Sequence, residues 1–269
     1  MGEKQKMRKR RSNITKLGFT FVILLLSLAS ISMSYATWTD TITIEGTIST
    51  AEDFNYLCLE GYWKFDEGDG QTAYDSSWNT NDGQLGSTSG HDDDDPLWTA
   101  GKINDALDFD GIDDYVDCGN APSLNIKEGS WGSWLKFDVK PSIAGHLMNP
   151  IAKAEQYWIH ASNDDSIQAK ITVGGTRYIA TTGSNFIQKD VWYHVFGTYD
   201  GDTLRLYVNG TEIDSNHDPS GNLDTTSNIF AMGTWSSPTD YFQGVIDEVK
   251  IYSCALTAGE IWDEYQAGL

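Results

Sequence analysis

The sequence predicts one large, predominantly β domain behind an N-terminal targeting segment. Aromatic residues make up 12% of the chain, and only six residues are prolines. From Leu57 onward, short strand-like runs recur between Gly and Asp residues, and no long helical period occurs before the C-terminus. Because little more than 230 residues follow the targeting segment, a single β core suits the chain better than two small domains.

The targeting segment covers residues 1–36. A basic region from Lys4 to Lys16 precedes an uncharged, apolar run from Leu17 to Met33, and Ser34 and Ala36 are small residues suited to cleavage after Ala36. The segment is therefore a signal peptide or, if uncleaved, a membrane anchor, since the run approaches the ~17 to 25 residues that span a bilayer. Both place the remainder outside the cell, because the basic flank stays in the cytoplasm.

The exported part is strongly acidic. Removing residues 1–36 takes away seven of the 18 Lys and Arg and one of the 39 Asp and Glu, which leaves 11 basic and 38 acidic residues and a net charge of about −27. Such a surface repels nucleic acid and anionic lipid and attracts cations. We therefore expect no nucleic-acid partner, and membrane contact only through an uncleaved N-terminal segment. Two explanations of this acidity are equally good, namely cation binding and adaptation to a salty environment.

Several elements follow directly from local patterns. Residues 37–56 alternate polar and apolar side chains and predict a linker or leading strand. Between Val191 and Asp214, three strand-like runs are separated by Asp-Gly and Asn-Gly, which supply the positive φ angles of tight hairpins. This predicts a three-strand meander with Leu204, Leu206 and Val208 on one face. Thr257 and Glu260 have capping-box spacing and predict one short closing helix.

Four ordered blocks resemble the laminin-G-like jelly-roll domains of the concanavalin A-like lectin/glucanase superfamily. They are Gly61 to Gly68 with Tyr74 to Ser77, Gly101 to Val116, Trp192 to Gly210, and Phe242 to Ile261. The resemblance covers roughly residues 57–268 and implies a two-sheet antiparallel β-sandwich (jelly roll) with a short C-terminal helix over residues 57–269. The chain departs from the pattern at an acidic insert, His91 to Asp95, at Trp78, and at its cysteines.

The three cysteines allow at most one intramolecular disulfide in an oxidising compartment. In the fold that the resemblance implies, the first and last strands are antiparallel neighbours. This pairs Cys58 with Cys254 and leaves Cys118 as the odd thiol.

The resemblance also implies a structural calcium ion near Asp247. Period-two alternation places Asp247 on the face of Val249 and Ile251, where a carboxylate needs a cation or several donors. The candidate metal ligands are Asp66, Asp75, Asp110, the carbonyl of Gly111, and Asp247. A backbone-capping carboxylate is the alternative at Asp247. The alternating oxygen side chains from Asp75 to Gly83 predict either a calcium loop or an Asn/Gly-rich turn, and His91 to Asp95 predict a solvated loop.

The resemblance implies extracellular binding of carbohydrate or of a glycosylated partner. Exposed aromatic rings stack on sugars, and five aromatic residues lie in or near expected loops. These ligand candidates are Trp78, Tyr157, Trp158, Trp235 and Tyr241. A structural or protein-binding envelope component is the first alternative. A glycoside hydrolase is the second, although the chain contains no Glu-x-Asp-x-x-Glu pattern to present two carboxylates across a cleft.

Overall fold

The structure is a computed structural model that describes residues 58–235 and 240–269. The predicted signal or anchor segment, residues 1–36, and the predicted linker, residues 37–56, lie outside the described residues. Within the described part of the chain, no helix is long and apolar enough to span a bilayer.

The chain forms two antiparallel sheets packed face to face, as the family resemblance implies. The first sheet has the order β14-β13-β12-β7-β16-β5-β4, with β1 paired to β16, and the second has the order β11-β10-β9-β8-β15-β6-β3-β2. The strands are β1 (Leu59–Trp63), β2 (Thr72–Ala73), β3 (Gly83–Leu85), β4 (Leu97–Ala100), β5 (Asp105–Asp110), β6 (Val116–Asp117), β7 (Gly129–Phe137), β8 (Met148–Lys153), β9 (Tyr157–Ala161), β10 (Ile167–Val173), β11 (Thr176–Thr181), β12 (Trp192–Tyr199), β13 (Leu204–Val208), β14 (Thr211–Asn216), β15 (Phe230–Met232) and β16 (Gln243–Tyr252). A one-turn 3-10 helix (Pro122–Leu124), a short helix α1 (Pro141–Ala144) and a C-terminal helix α2 (Ala258–Ala267) complete the described part of the fold.

The predicted meander is formed by β12, β13 and β14. Asn209 and Gly210 turn between β13 and β14 with φ angles of 52° and 76°, the left-handed geometry that a two-residue hairpin requires. Leu204, Leu206 and Val208 all face the central core, because alternate residues of a strand share one side.

The core lies between the two sheets and is rich in aromatic rings. Trp63 of β1 stacks on Phe230 of β15 with 5.2 Å between ring centroids, and Trp131 of β7 lies 5.3 Å from Tyr157 of β9. Both contacts join the first sheet to the second. The packing is that of a sandwich with one continuous hydrophobic interior.

A second hydrophobic cluster covers the outer face of the first sheet. Ile261 of α2 packs with Phe196, Tyr207 and Tyr252 of the sheet. Cys58 and Cys254 form a disulfide beside this cluster, with 5.8 Å between their Cα atoms, and β1 pairs antiparallel with β16 as expected. The helix α2 therefore packs on the side of the first sheet that faces away from the core.

Candidate ligand-binding face and acidic clusters

The structure corrects the sequence-based placement of two aromatic ligand candidates. Tyr157 and Trp158 lie within β9 rather than in a loop. Tyr157 is fully buried, and its hydroxyl donates to the carbonyl of Leu124 at 2.9 Å. It is a core residue that no ligand can reach. Trp158, the next residue along the strand, points to the opposite, outer side.

Trp158 forms the centre of a surface that we call the aromatic-basic face. It consists of outward-facing side chains of β9, β10 and β11 with one residue from the loop after β15, namely Trp158, His160, Gln168, Lys170, Arg177, Ile179 and Trp235. Lys170 pairs with Trp158 on one side and with Ile179 on the other, which puts the three in one cross-strand row.

Two tryptophans and an arginine form a corner on this face. The rings of Trp158 and Trp235 are 4.5 Å apart and inclined at 74°. The guanidinium carbon of Arg177 lies 5.7 Å from both ring centroids, within cation–π range. Trp158 is only 2% exposed, because Trp235 and Arg177 lie against its ring. Arg177 itself is exposed, and Trp235 is half-buried. Trp235 and Arg177 therefore offer the accessible surfaces.

Burial sets the protonation of the polar groups here. Burial, and then the positive charge of Arg177, lower the pKa of Lys170 to about 8. Burial also lowers the pKa of His160 to about 3, so the ring is neutral near pH 7. Nδ1 of His160 lies 2.9 Å from Oδ1 of Asn149. A hydrogen on Nδ1 satisfies that oxygen and leaves Nε2 as an acceptor. Arg177 forms an ion pair with Glu155.

Sequence analysis did not identify Lys170, Arg177 and His160 as site residues. The signal was present in the period-two spacing of Trp158 with His160 and of Gln168 with Lys170, which puts each pair on one side of its strand. Which side faces solvent depends on how the two sheets pack, and the local sequence does not contain that information.

Trp78 and Tyr241 lie apart from these contacts. Trp78 is 90% exposed and occupies the loop between β2 and β3. Asp75 braces that loop, because its carboxylate accepts hydrogen bonds from the amides of Tyr62, Ser77 and Asn81 and from the Ser77 hydroxyl. These donors satisfy the carboxylate of Asp75 without a cation.

Tyr241, the remaining aromatic candidate, is half-buried beside the acidic loops described below.

The surroundings of Asp247 differ from the sequence-based expectation. A β-bulge interrupts the pairing of β16 with β7 between Asp247 and Lys250, and Glu248 there has a φ of 54°. The extra residue reverses the alternation. Asp247 consequently lies opposite Trp134, on the outer side of the first sheet, whereas Val249 and Ile251 face the core. The expectation that these three residues share a face is wrong.

Asp247 is nevertheless 0% exposed. Its Oδ2 accepts hydrogen bonds from the amides of Lys102, at 2.8 Å, and Ile103, at 2.9 Å, while its Oδ1 has no hydrogen-bond partner among the described residues. Burial raises the pKa of this carboxyl to about 7. The two amides fix the turn between β4 and β5 to the bulge.

Two of the candidate calcium ligands, Asp110 and Gly111, lie away from Asp247. Asp110 pairs with Gln243 of β16. Because Gln243 precedes Asp247 by four residues, Asp110 lies about 13 Å from Asp247 along the strand. Gly111 is the next residue after Asp110 and lies farther along the chain. Asp66 is exposed and accepts from the Asn104 side chain. One unpartnered oxygen does not meet the need of calcium for six to eight oxygen ligands. The residues around Asp247 therefore fit the backbone-capping alternative better than a metal site.

Carboxylates do converge at two other places. Among the described residues, two groups of three carboxylates could hold a metal ion. They are Asp92, Asp94 and Asp95, in the loop between β3 and β4, and Asp110, Asp113 and Asp114, at the end of β5 and in the loop after it. The first group lies in the stretch that the sequence predicts to be a solvated loop.

Comparisons with known proteins agree with this fold. A family model described as the concanavalin A-like lectin/glucanases superfamily matches residues 110–262. No curated protein matches the sequence. Domain 4 of an extracellular GH43 arabinanase from Geobacillus stearothermophilus, solved in complex with arabinotriose, aligns with a TM-score of 0.60 and 24% identity over 77% of this chain and 97% of that one.

Toxin domains give similar alignments. The binding domain of Paraclostridial Mosquitocidal Protein 1 aligns with a TM-score of 0.63 and 14% identity, over 79% of this chain and 52% of that one. The receptor binding domain of botulinum neurotoxin D aligns with a TM-score of 0.58 and 12% identity, over 79% and 53%. The chain thus spans about half of each toxin domain, and at these identities the likeness shows the fold alone. Since the family model matches more than half of its residues, the chain belongs to the concanavalin A-like lectin/glucanases superfamily.

Proposed function

We propose that the protein is an exported, non-catalytic module that binds carbohydrate through the aromatic-basic face. The observation that carries this proposal is the corner formed by Trp158, Trp235 and Arg177. An aromatic ring offers a flat apolar surface that packs against the C–H groups of a sugar. Nearby cationic, amide and imidazole groups can form hydrogen bonds with the hydroxyl groups of the sugar. Lys170, Gln168 and His160 supply those polar groups on the same side of the sheet.

The solved structures support binding in general terms. The arabinanase domain was solved with arabinotriose, and the toxin domains are described as binding or receptor-binding domains. A cleft elsewhere, lined among others by Glu60, Asn125, Lys127 and Glu128, has no aromatic side chain in its wall. Of these two surfaces, the aromatic-basic face is the better suited to sugars.

The composition of this face argues for binding without hydrolysis. Glycosidases of the common types need two carboxylates flanking the scissile bond. The seven side chains of the aromatic-basic face include no carboxylate, and Glu155 at its edge is held in an ion pair by Arg177. A hydrolase would be supported instead if incubation with a bound polysaccharide released reducing sugar and a carboxylate variant abolished the release.

Export rests on the predicted N-terminal segment and on the disulfide, which persists in oxidising compartments. Cleavage after Ala36 would release the protein, and retention of residues 1–36 would keep it at the cell surface. Mass spectrometry of the N-terminus of the native protein distinguishes the two.

A glycan array tests the proposal. We expect saturable binding to at least one polysaccharide or oligosaccharide class, reduced by Arg177→Ala, which removes an exposed cation and a ring contact. Absence of saturable binding to any glycan by the folded protein would refute carbohydrate recognition.

Recognition of a protein partner is the second candidate, and Trp78 favours it. A tryptophan that is 90% exposed on a braced loop, with the exposed Tyr74 nearby in sequence, resembles the rigid aromatic anchors of protein interfaces. In that case, Trp78→Ala would abolish attachment to the surface partner while Arg177→Ala would not.

A further inference from the structure

The loop between β3 and β4 brings three carboxylates together. One ligand oxygen from each of Asp92, Asp94 and Asp95 lies within 4.8 Å of the other two. Three negative charges at this spacing repel one another, and a cluster of acids alone does not establish a metal site. Two further features of this cluster point to a bound cation.

The first feature is the burial of Asp95. Its side chain is only 1% exposed. Oδ2 is satisfied by Nδ1 of His91 at 3.0 Å and by the amide of Asp92 at 2.8 Å. Oδ1 of Asp95 is buried and has no hydrogen-bond partner among the described residues. A carboxylate oxygen removed from water without a donor is costly unless a cation faces it.

The second feature is the convergence of oxygens beside Gly86. A Cβ atom at residue 86 would lie 2.3 Å from Oδ1 of Asp95, 2.8 Å from Oδ1 of Asp94 and 3.0 Å from the main-chain oxygen of Asp94. The unpartnered oxygen of Asp95 is therefore aimed at the same point as two other oxygens. Gly86 has a φ of 58° and carries no side chain to cover them.

The second acidic group adds to the local negative charge. The amide of Gly86 donates to the carbonyl of Tyr115 at 2.9 Å, which holds the β3–β4 loop beside the loop after β5. Burial, and then the carboxylates of Asp110, Asp94 and Asp93, raise the pKa of Asp113. The carboxylates of the β3–β4 loop and of the loop after β5 therefore repel one another. A cation bound at either loop would reduce that repulsion.

We propose that Asp92, Asp94 and Asp95 bind a calcium ion. The available donors are all oxygens, carboxylate and main-chain, which suits a hard cation of flexible coordination; water would complete the shell. Both loops pass from one sheet to the other, since β3 and β6 belong to the second sheet and β4 and β5 to the first. The ion would stabilise that end of the sandwich.

Terbium luminescence and calcium titration test the site directly. Tyr115 and Tyr241 lie close enough to Asp94 for its charge to contribute, after burial, to their raised pKa values. Tb³⁺ in the site should therefore be excited through tyrosine, and calcium should displace it in a saturable manner with a stoichiometry of one. Magnesium should compete poorly, because it needs a tighter octahedral shell.

Matched variants locate the ion. We expect Asp94→Asn and Asp95→Asn each to weaken calcium binding by about tenfold or more. Asp93→Asn removes the same charge from the same loop but lies outside the cluster, and it should change affinity far less. Asp94→Asn keeps the conclusion testable if Asp95→Asn fails to fold. No saturable calcium binding, equal losses in Asp93→Asn and Asp94→Asn, or loss only in Asp247→Asn would each overturn the proposal.

Discussion

At the scale of single residues, a β-bulge next to Asp247 changes the face of the sheet on which its side chain lies. Simple alternation puts its carboxylate on the core side, but the bulge at Glu248 moves it to the other side of the sheet. There the turn between β4 and β5 buries it, with amides on one oxygen only. A bulge of this kind depends on pairing with β7 and β5 and leaves no reliable trace in the local sequence.

The raised pKa of Asp247 predicts a specific pH dependence. Below its unfolded pKa of about 3.9, Asp247 is protonated in both states. As pH rises toward about 7, the unfolded chain loses this proton while the folded protein keeps it, so the free energy of unfolding falls. The difference is roughly 4 kcal/mol at most. Denaturant unfolding of the protein and of Asp247→Asn between pH 4 and 7 measures it.

The comparison with Asp247→Asn isolates this residue. Buried histidines and Asp114, whose pKa burial also raises to about 7, are present in both proteins and cancel in the difference. The exposed Asp69→Asn variant should parallel the unmodified protein. If the unmodified protein instead gained stability over Asp247→Asn as pH rose, the folded carboxylate would be ionised, as calcium bound at Asp247 would require.

At the scale of elements, strong local signals predicted structure well. The Asn209-Gly210 turn and the capping box of α2 each specify a conformation through a few neighbouring residues. In α2, the Thr257 hydroxyl accepts from the amide of Glu260 at 3.3 Å, and the Glu260 carboxylate accepts from the amide of Thr257 at 2.7 Å. In contrast, the run from Tyr157 to Ala161 has strand-like alternation but no turn residue that fixes its place, so its position within the second sheet depends on pairing with β8 and β10.

The cap of α2 can be tested on its own. Thr257→Ala should lower the free energy of unfolding by about 1 kcal/mol, because the first turn loses a side-chain acceptor. The exposed Thr176 at the start of β11 provides the control, and Thr176→Ala should have a smaller effect. Equal effects in equilibrium unfolding would mean that the cap does not stabilise the docked helix.

At the scale of the whole molecule, the two-sheet sandwich that the family resemblance implies is confirmed, and local strand and turn patterns alone predict only a large β domain. The ligand surface was predicted only in part. Trp158 and Trp235 were recognised as candidates, but their basic neighbours come from other strands, and sheet packing brings them together. The acidic cluster was missed because repulsion between adjacent aspartates, read alone, predicts a solvated loop.

The disulfide joins the two ends of the described domain, so its loss should affect global stability. The double variant Cys58→Ser and Cys254→Ser should lose about 2 to 5 kcal/mol. Cys118→Ala should leave the bond intact, as peptide mapping of the oxidised protein can establish. A bridge to Cys118 in that map would contradict the structure.

Calcium should also act on the whole domain, because binding to the native state alone stabilises it. At a calcium concentration a hundred times the dissociation constant, the gain is about 2.7 kcal/mol. The melting temperature should therefore be higher in calcium than in chelator, and Asp94→Asn should remove most of that difference. Identical melting curves in calcium and chelator would contradict the expectation.

The central claim is that carbohydrate binds at the aromatic-basic face, and calorimetric titration of paired tryptophan variants tests it most directly. An oligosaccharide identified on the array would be titrated into the protein, Trp235→Ala and Trp78→Ala. Removing one wall of the corner in Trp235→Ala should weaken binding by about tenfold or more, since aromatic contacts of this kind contribute more than 1 kcal/mol. Trp78→Ala should bind as the unmodified protein does. Unchanged affinity in Trp235→Ala, or loss of binding in Trp78→Ala alone, would contradict the account.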